Sequence, residues 1–330
     1  MSDLSERVAA LSPEKRRLFE RLLKEREQRT QPPQPVPEVV EGAPASNVAW
    51  PQLNGPNQTY ADFVKGNLTE SNPHAGVIKD FMQRAYTAAS ERLSSSIVGD
   101  YAVFLNYGYV ADDHPQSSPI ELPDGVLNRN SIKLILEVIG EHDLAGRQVL
   151  DISCGRGGNL SAIGKYYQAR RLVGLDITHA HIKFCETRYA GKGSGFLVGD
   201  AEKLPFGSAA FDVVINVEAS GHYPNIFHFY AEVFRVLRPG GCFLYTDLFS
   251  AECVSQNRQF LEDTGLALER EQDITRNVLL SCDETARRHV RAFGSDQDQA
   301  LGQILATPGS PIYEDMKSGR LTYRIFNWKK

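Results

Sequence analysis

Four acidic side chains each stand at the end of a short apolar run, and one histidine follows the last of them. Asp151 closes QVLD and leads into Ile152-Ser153-Cys154-Gly155-Arg156-Gly157-Gly158. Asp176 closes RLVGLD, and Asp200 closes GFLVGD and is followed by Ala201 and Glu202. FDVVINVE ends at Glu218, with His222 four positions on in Glu218-Ala-Ser-Gly-His222-Tyr-Pro. Glycines after a strand let backbone approach a ligand where a Cβ would clash. Dinucleotide sites use GxGxxG at this place. Here an acid, three residues and then GxGG occupy it. A carboxylate there repels a pyrophosphate and suits an ammonium. Asp176 is placed to accept from both hydroxyls of a ribose, and Asp200-Ala201 to lie beside an adenine edge. An amine, a ribose and a base, with a sulfonium between them, describe S-adenosylmethionine. His222 then lies opposite the methyl group. A neutral imidazole can take the proton of an alcohol as its oxygen attacks, because its ordinary pKa lies near neutrality. Such a base contributes roughly 10²–10⁴-fold; in-line alignment of oxygen, carbon and sulfur supplies the rest. Glu218 is expected either to orient the imidazole or to meet the cofactor.

These residues need strands that end together. Apolar runs at 147–153, 171–177, 195–200, 211–218 and 242–249 read as strands, with helices over 157–167, 179–189 and 225–237 between them. Arg238-Pro239-Gly240-Gly241 reads as a helix stop and turn. A helix at 252–264, a strand at 267–274, a helix at 275–292 and a closing strand at 320–329 follow. Strands alternating with helices argue an α/β, Rossmann-like, mostly parallel seven-stranded sheet with helices on both faces. Ligands of such sheets sit beyond the carboxyl ends of the strands.

Ahead of this core, helices are expected over 72–93, with Val77, Phe81, Tyr86 and Leu93 apolar, and over 126–140. The expected organisation is a helical linker or docking segment at 1–29, a proline-rich linker at 30–60, a helical lid at 61–140 and the cofactor-binding core at 141–330. Prolines in TQPPQPVPEVVEGAP forbid a continuous helix there.

The 330 residues can bury a substantial core. A net charge of −5 argues against nucleic acid or an anionic membrane as partner. Five scattered cysteines without a CxxC pair indicate neither a zinc site nor a disulfide framework, and fit a reducing, cytoplasmic setting. No signal peptide or membrane span is expected, and no metal.

VLDISCGRGGNLS, VGLDIT, VGDAEKLPF, FDVVINVEAS and EVFRVLRPGG resemble, in order and spacing, the signatures of class I S-adenosylmethionine-dependent methyltransferases. Ser153 stands where that pattern usually has glycine. The resemblance implies cofactor contacts from Asp151, Ser153, Gly155, Gly157 and Asn159 in the first motif. It implies further contacts from Asp176, Ile177 and His181, then Asp200, Ala201 and Glu202, then Asn216, with Tyr107 reaching over from the lid. Tyr107 and Tyr109 are suited to cation–π contact with a sulfonium. LNYGYV, the Glu-to-His turn, LYTDLF and the C-terminal TPGSPIYEDMKSGRLTYRIFNWKK are similar to O-methyltransferases of polyketide and related lipid assembly, including the phthiotriol type. That implies methylation of a hydroxyl on a polyketide or peptide–polyketide intermediate, free or carrier-bound, with His222 as base and Glu218 beside it. Sterol and tocopherol C-methyltransferases have a similar Glu-to-His turn, so transfer to carbon stays open, as does a non-catalytic subunit of a synthase. Asp247 is expected to reach the substrate or to cap the next element. LSPEKRRLFERLLKERE is similar to the linkers of polyketide and non-ribosomal peptide synthases, which implies a synthase as partner.

Overall fold

QVLDI forms the central strand β1 (Gln148–Ile152), whose side chains alternate between two apolar layers. Val149 enters one buried cluster and Leu150 the other, as the two-residue period of a strand requires. The computed structural model describes residues 50–330 apart from 55–56, 96–98, 113–116, 190–192 and 294–305. The expected docking segment at 1–29, and the proline-rich linker up to residue 49, lie outside the described residues.

β2 (Arg171–Asp176) and β3 (Ser194–Val198) extend the sheet on one side of β1, and β4 (Phe211–Val217) and β5 (Leu237–Ser250) on the other. All five are parallel. β7 (Leu321–Lys329) inserts antiparallel between β5 and β6 (Ala267–Asp273), giving the order β3-β2-β1-β4-β5-β7-β6. The sheet is the seven-stranded, Rossmann-like one expected. Its direction of growth reverses between β1 and β4, which opens a crevice at their carboxyl ends.

Nine helices are described: α1 (Tyr60–Gly66), α2 (Ala75–Ser95), α3 (Arg129–Ile139), α4 (Gly158–Tyr166), α5 (His179–Arg188), α6 (Ile226–Val236), α7 (Val254–Asp263), α8 (Thr275–Phe293) and α9 (Pro311–Lys317). α3 is buried almost throughout and packs with α4 against one face, while Phe229, Tyr230 and Val233 of α6 fill the other. α1 and α2 lie across the strand ends.

The structure corrects several local expectations. α1 and α9 are additional helices of seven residues each, too short for a periodic pattern. Their caps were the readable signal. Thr59 and Asp62 form a reciprocal capping box, and Ser310-Pro311 starts α9. The Arg238-Pro239-Gly240-Gly241 turn lies inside β5, where Gly240 takes φ +75° and the pairing with β4 shifts register. On α2 the buried residues are Ile78, Met82, Ala89 and Ser90, whereas Val77 is 56% exposed. The core lies on a different face of that helix from the one Val77 marks.

Candidate active site

The carboxyl ends of the strands, α2 and the segment 103–106 enclose a cleft. At its floor the chain leaves β1 in left-handed conformation: Ser153 has φ +58°, Gly155 +52° and Gly157 +77°. A Cβ on Gly157 would stand 2.5 Å from the Tyr189 ring, and one on Gly158 would stand 2.6 Å from the Val103 carbonyl. These two glycines therefore serve the protein's own close packing. Ser153 tolerates its conformation with its hydroxyl 2.6 Å from that of Tyr223.

The predicted cofactor residues divide into two layers. Ser153, Gly155, Asn159, Asp176, Ile177, His181, Asp200 and Ala201 line the cleft. Asp151, Gly157, Glu202, Asn216 and Tyr107 do not line it. Asp151 is fully buried and neither of its oxygens makes a hydrogen bond among the described residues. Burial raises its pKa well above the usual carboxylate range, with the Asn159 amide opposing. Asn216 donates to the Ile152 carbonyl and the Tyr223 hydroxyl, both at 2.9 Å, and so braces the turn from beneath. Tyr107 contributes its backbone N–H to Glu218, and its ring packs on Tyr323.

Asp176 accepts from Gly155 N–H (2.9 Å) and Thr178 N–H (2.8 Å). Burial opposes its charge, but His181 and those two N–H groups together hold its pKa below the usual range. The buried His181 places Nδ1 3.3 Å from a carboxylate oxygen of Asp176. Asp200 and Glu202 share the ammonium of Lys79, each at 2.6 Å.

Glu218 stands just past β4 in left-handed conformation, φ +54°. Its carboxyl accepts from Tyr107 N–H and from the Tyr323 hydroxyl. Burial, reinforced by Asp247, raises its pKa to about 8 against the pull of those two donors. Both its partners come from elsewhere than His222, so the expected orienting of the imidazole by Glu218 is not what the structure shows. Tyr60 does it instead, with its hydroxyl 3.2 Å from Nε2. The rings of Tyr60, Phe63 and Tyr86 surround the imidazole at centroid distances of 5.7, 6.3 and 6.0 Å. That desolvation lowers its pKa to about 4 and keeps it neutral. Asp247 does not line the cleft. It caps the single turn that carries His222 (Ser220–His222), accepting from the N–H groups of Ala219 (3.1 Å) and Ser220 (2.7 Å) and from the Ser220 hydroxyl (2.6 Å). Tyr60, Lys79, Tyr86, Asn106 and Tyr323 are functional neighbours that the sequence pattern did not announce.

The residues present fit S-adenosylmethionine. Three acids, Asp176, Asp200 and Glu218, stand on the cleft wall, and the Asn106 side-chain carbonyl oxygen is buried without a partner among the described residues. Among the described residues no cluster of His, Cys, Asp or Glu could hold a metal ion, and no helix is long and apolar enough to cross a membrane.

Residues 150–245 match the family model described as a methyltransferase domain. The chain is also 35% identical over 245 residues, 72% of its length and 89% of the relative's, to a phthiotriol/phenolphthiotriol dimycocerosates methyltransferase of Mycobacterium tuberculosis. With the fold and the strand-end acids, this identifies the chain: it belongs to the class I S-adenosylmethionine-dependent methyltransferases. A second relative is a fatty-acid O-methyltransferase of Mycolicibacterium smegmatis, 33% identical over 260 residues, covering 77% of this chain and 91% of that one. Geranyl diphosphate methyltransferase, solved with GPP and sinefungin, shares the fold at TM-score 0.55 and 18% identity, covering 77% of this chain and 99% of that one. The StiE O-MT structure does so at TM-score 0.55 and 20% identity, covering 75% and 90%.

Proposed function

We propose that this methyltransferase acts at a hydroxyl of a polyketide or peptide–polyketide intermediate, with His222 as the group that removes the proton. The observation that carries this reading is a neutral imidazole on the cleft wall, ringed by aromatic side chains and tethered through Nε2 to Tyr60. S-adenosylmethionine, when bound, supplies an electrophilic methyl group. With Tyr60 accepting from Nε2–H, Nδ1 keeps its lone pair for the acceptor hydroxyl. A pKa near 4 makes a weak base, and a weak base is enough. The acceptor oxygen becomes far more acidic as its bond to carbon forms, so the proton moves downhill to the ring late in the step and leaves it easily afterwards. Glu218 is unsuited to this part, because its oxygens already serve Tyr107 and Tyr323. The relatives named for phthiotriol and fatty-acid substrates support a lipid-like acceptor, and the one named as an O-methyltransferase supports transfer to oxygen.

The test is His222→Gln, assayed with S-adenosylmethionine and a hydroxyacyl acceptor, free or as a carrier-bound thioester. Transfer should fall by roughly 10²–10⁴-fold, while calorimetric affinity for S-adenosylhomocysteine stays within about threefold. Undiminished transfer would remove His222 from the mechanism, and a product methylated at carbon would replace the hydroxyl reading.

A further inference from the structure

One stripe of α2 touches all three cofactor-bearing strand ends. Lys79, Gln83, Tyr86, Ser90 and Ser94 recur three or four residues apart, which sets them along one face. Lys79 reaches Asp200 and Glu202 beyond β3, each at 2.6 Å. Gln83 donates to the Ile177 carbonyl beyond β2 at 3.1 Å. Tyr86 packs edge-on against His181 and His222, at 5.9 and 6.0 Å between ring centroids. At the far end, Arg156 of the glycine turn donates to the Ser90 carbonyl (3.1 Å) and to the hydroxyls of Ser90 (2.9 Å) and Ser94 (3.0 Å). Arg156 is fully buried, further bonded to the Ala102 and Gly99 carbonyls, and stacked 3.6 Å above the Phe184 ring. That end of α2 is therefore bolted in place.

We infer that Lys79 is a positioning residue for the cofactor: by pairing with Asp200 and Glu202 it shapes the adenosine end of the cleft and shuts the N-terminal half of α2 over it. The two carboxylates are two residues apart and repel each other. Glu202 is nearly enclosed, its side chain 5% exposed, and also accepts from Asn225 N–H (2.7 Å) and the Asn225 amide (3.0 Å). Asp200 uses its other oxygen on Glu202 N–H (2.9 Å). The ammonium between them offsets that repulsion, with Asp200 on the cleft wall and Glu202 enclosed behind it. Without it, two like charges stay part-buried against a helix that has lost its first anchor. Burial opposes the charge of Lys79, yet its bonds to both acids raise its pKa, so it stays charged through the neutral range. The inference rests on membership of the methyltransferase family and is independent of the acceptor and of His222.

The test uses the full chain without acceptor. S-adenosylhomocysteine affinity is measured by calorimetry, and hydrogen exchange is followed along residues 75–95, for the wild type, Lys79→Met and Lys79→Arg. Lys79→Met should weaken binding about tenfold, the equivalent of losing one part-buried ion pair. It should speed exchange in residues 75–83 while residues 90–95 stay protected. Lys79→Arg should restore affinity to within about threefold. Wild-type affinity in Lys79→Met would overturn the inference. So would equal losses in both variants with faster exchange along the whole helix, because that pattern is general damage to the fold.

Discussion

Protonating His222 should cost the folded protein about 3 kcal/mol, and that cost can be measured without any substrate. The imidazole has an ordinary pKa of 6.5, and burial lowers it to about 4 in the folded chain. Converted at about 1.36 kcal/mol for each tenfold change in proton affinity, the difference is about 3 kcal/mol. The sign follows from proton counting. Between pH 4 and 6.5 the unfolded chain binds a proton on this residue that the folded chain does not, so unfolding is favoured as the pH falls. The stability that depends on a neutral His222 is complete above pH 6.5 and is lost progressively down to about 4. Urea unfolding of the wild type and of His222→Gln, compared at matched pH from 7.5 to 4, isolates this contribution, since all other titrating groups are common to both. The wild type should lose about 3 kcal/mol relative to the variant over that span. With His222 as the proposed base, the acid limb of kcat/KM should fall near pH 4 and not near 6.5. A stability difference that does not change with pH, or an imidazole titrating near 6.5 by NMR, would refute the argument that the aromatic enclosure keeps this ring neutral.

Other expectations concern the supports of the site. Asp247→Asn replaces a carboxylate oxygen that accepts from Ala219 N–H, Ser220 N–H and the Ser220 hydroxyl. The amide must either turn its NH₂ toward those donors or toward Leu248 N–H. It should lower stability by about 2–3 kcal/mol and reduce kcat more than tenfold, with S-adenosylhomocysteine affinity unchanged by calorimetry. Ser153 at φ +58° inverts the usual ranking of small residues. Both Ser153→Gly and Ser153→Ala lose the bond to Tyr223, but only glycine relieves the left-handed backbone. Ser153→Gly should unfold at higher urea than Ser153→Ala, by about 1 kcal/mol.

What was legible in the sequence is what depends on neighbours along the chain. Asp151, Asp176, Asp200 and Glu218 were placed at strand ends because an apolar run, its closing acid and the glycine turn lie within a dozen residues. The order of those runs was enough for the sheet and the cofactor class, since each strand, buried on both faces, is written as a continuous apolar stretch. The closing antiparallel pair was visible only as two further strands. Its partners emerge when β7 inserts between β5 and β6. Tertiary structure alone decided the environments. Tyr60 meets His222 across 162 positions, Tyr323 meets Glu218 across 105 and Lys79 meets Asp200 across 121. No local pattern encodes such contacts. They arise because α1, α2 and β7 converge on one edge of the sheet. The same convergence removes water from two side chains of ordinary type, moving Glu218 up to about 8 and His222 down to about 4. Residue type and spacing could name the candidate groups for the chemistry. Their protonation states, and the step back from the cleft wall taken by Asp151 and Asn216, follow from burial, which exists only once the chain has folded.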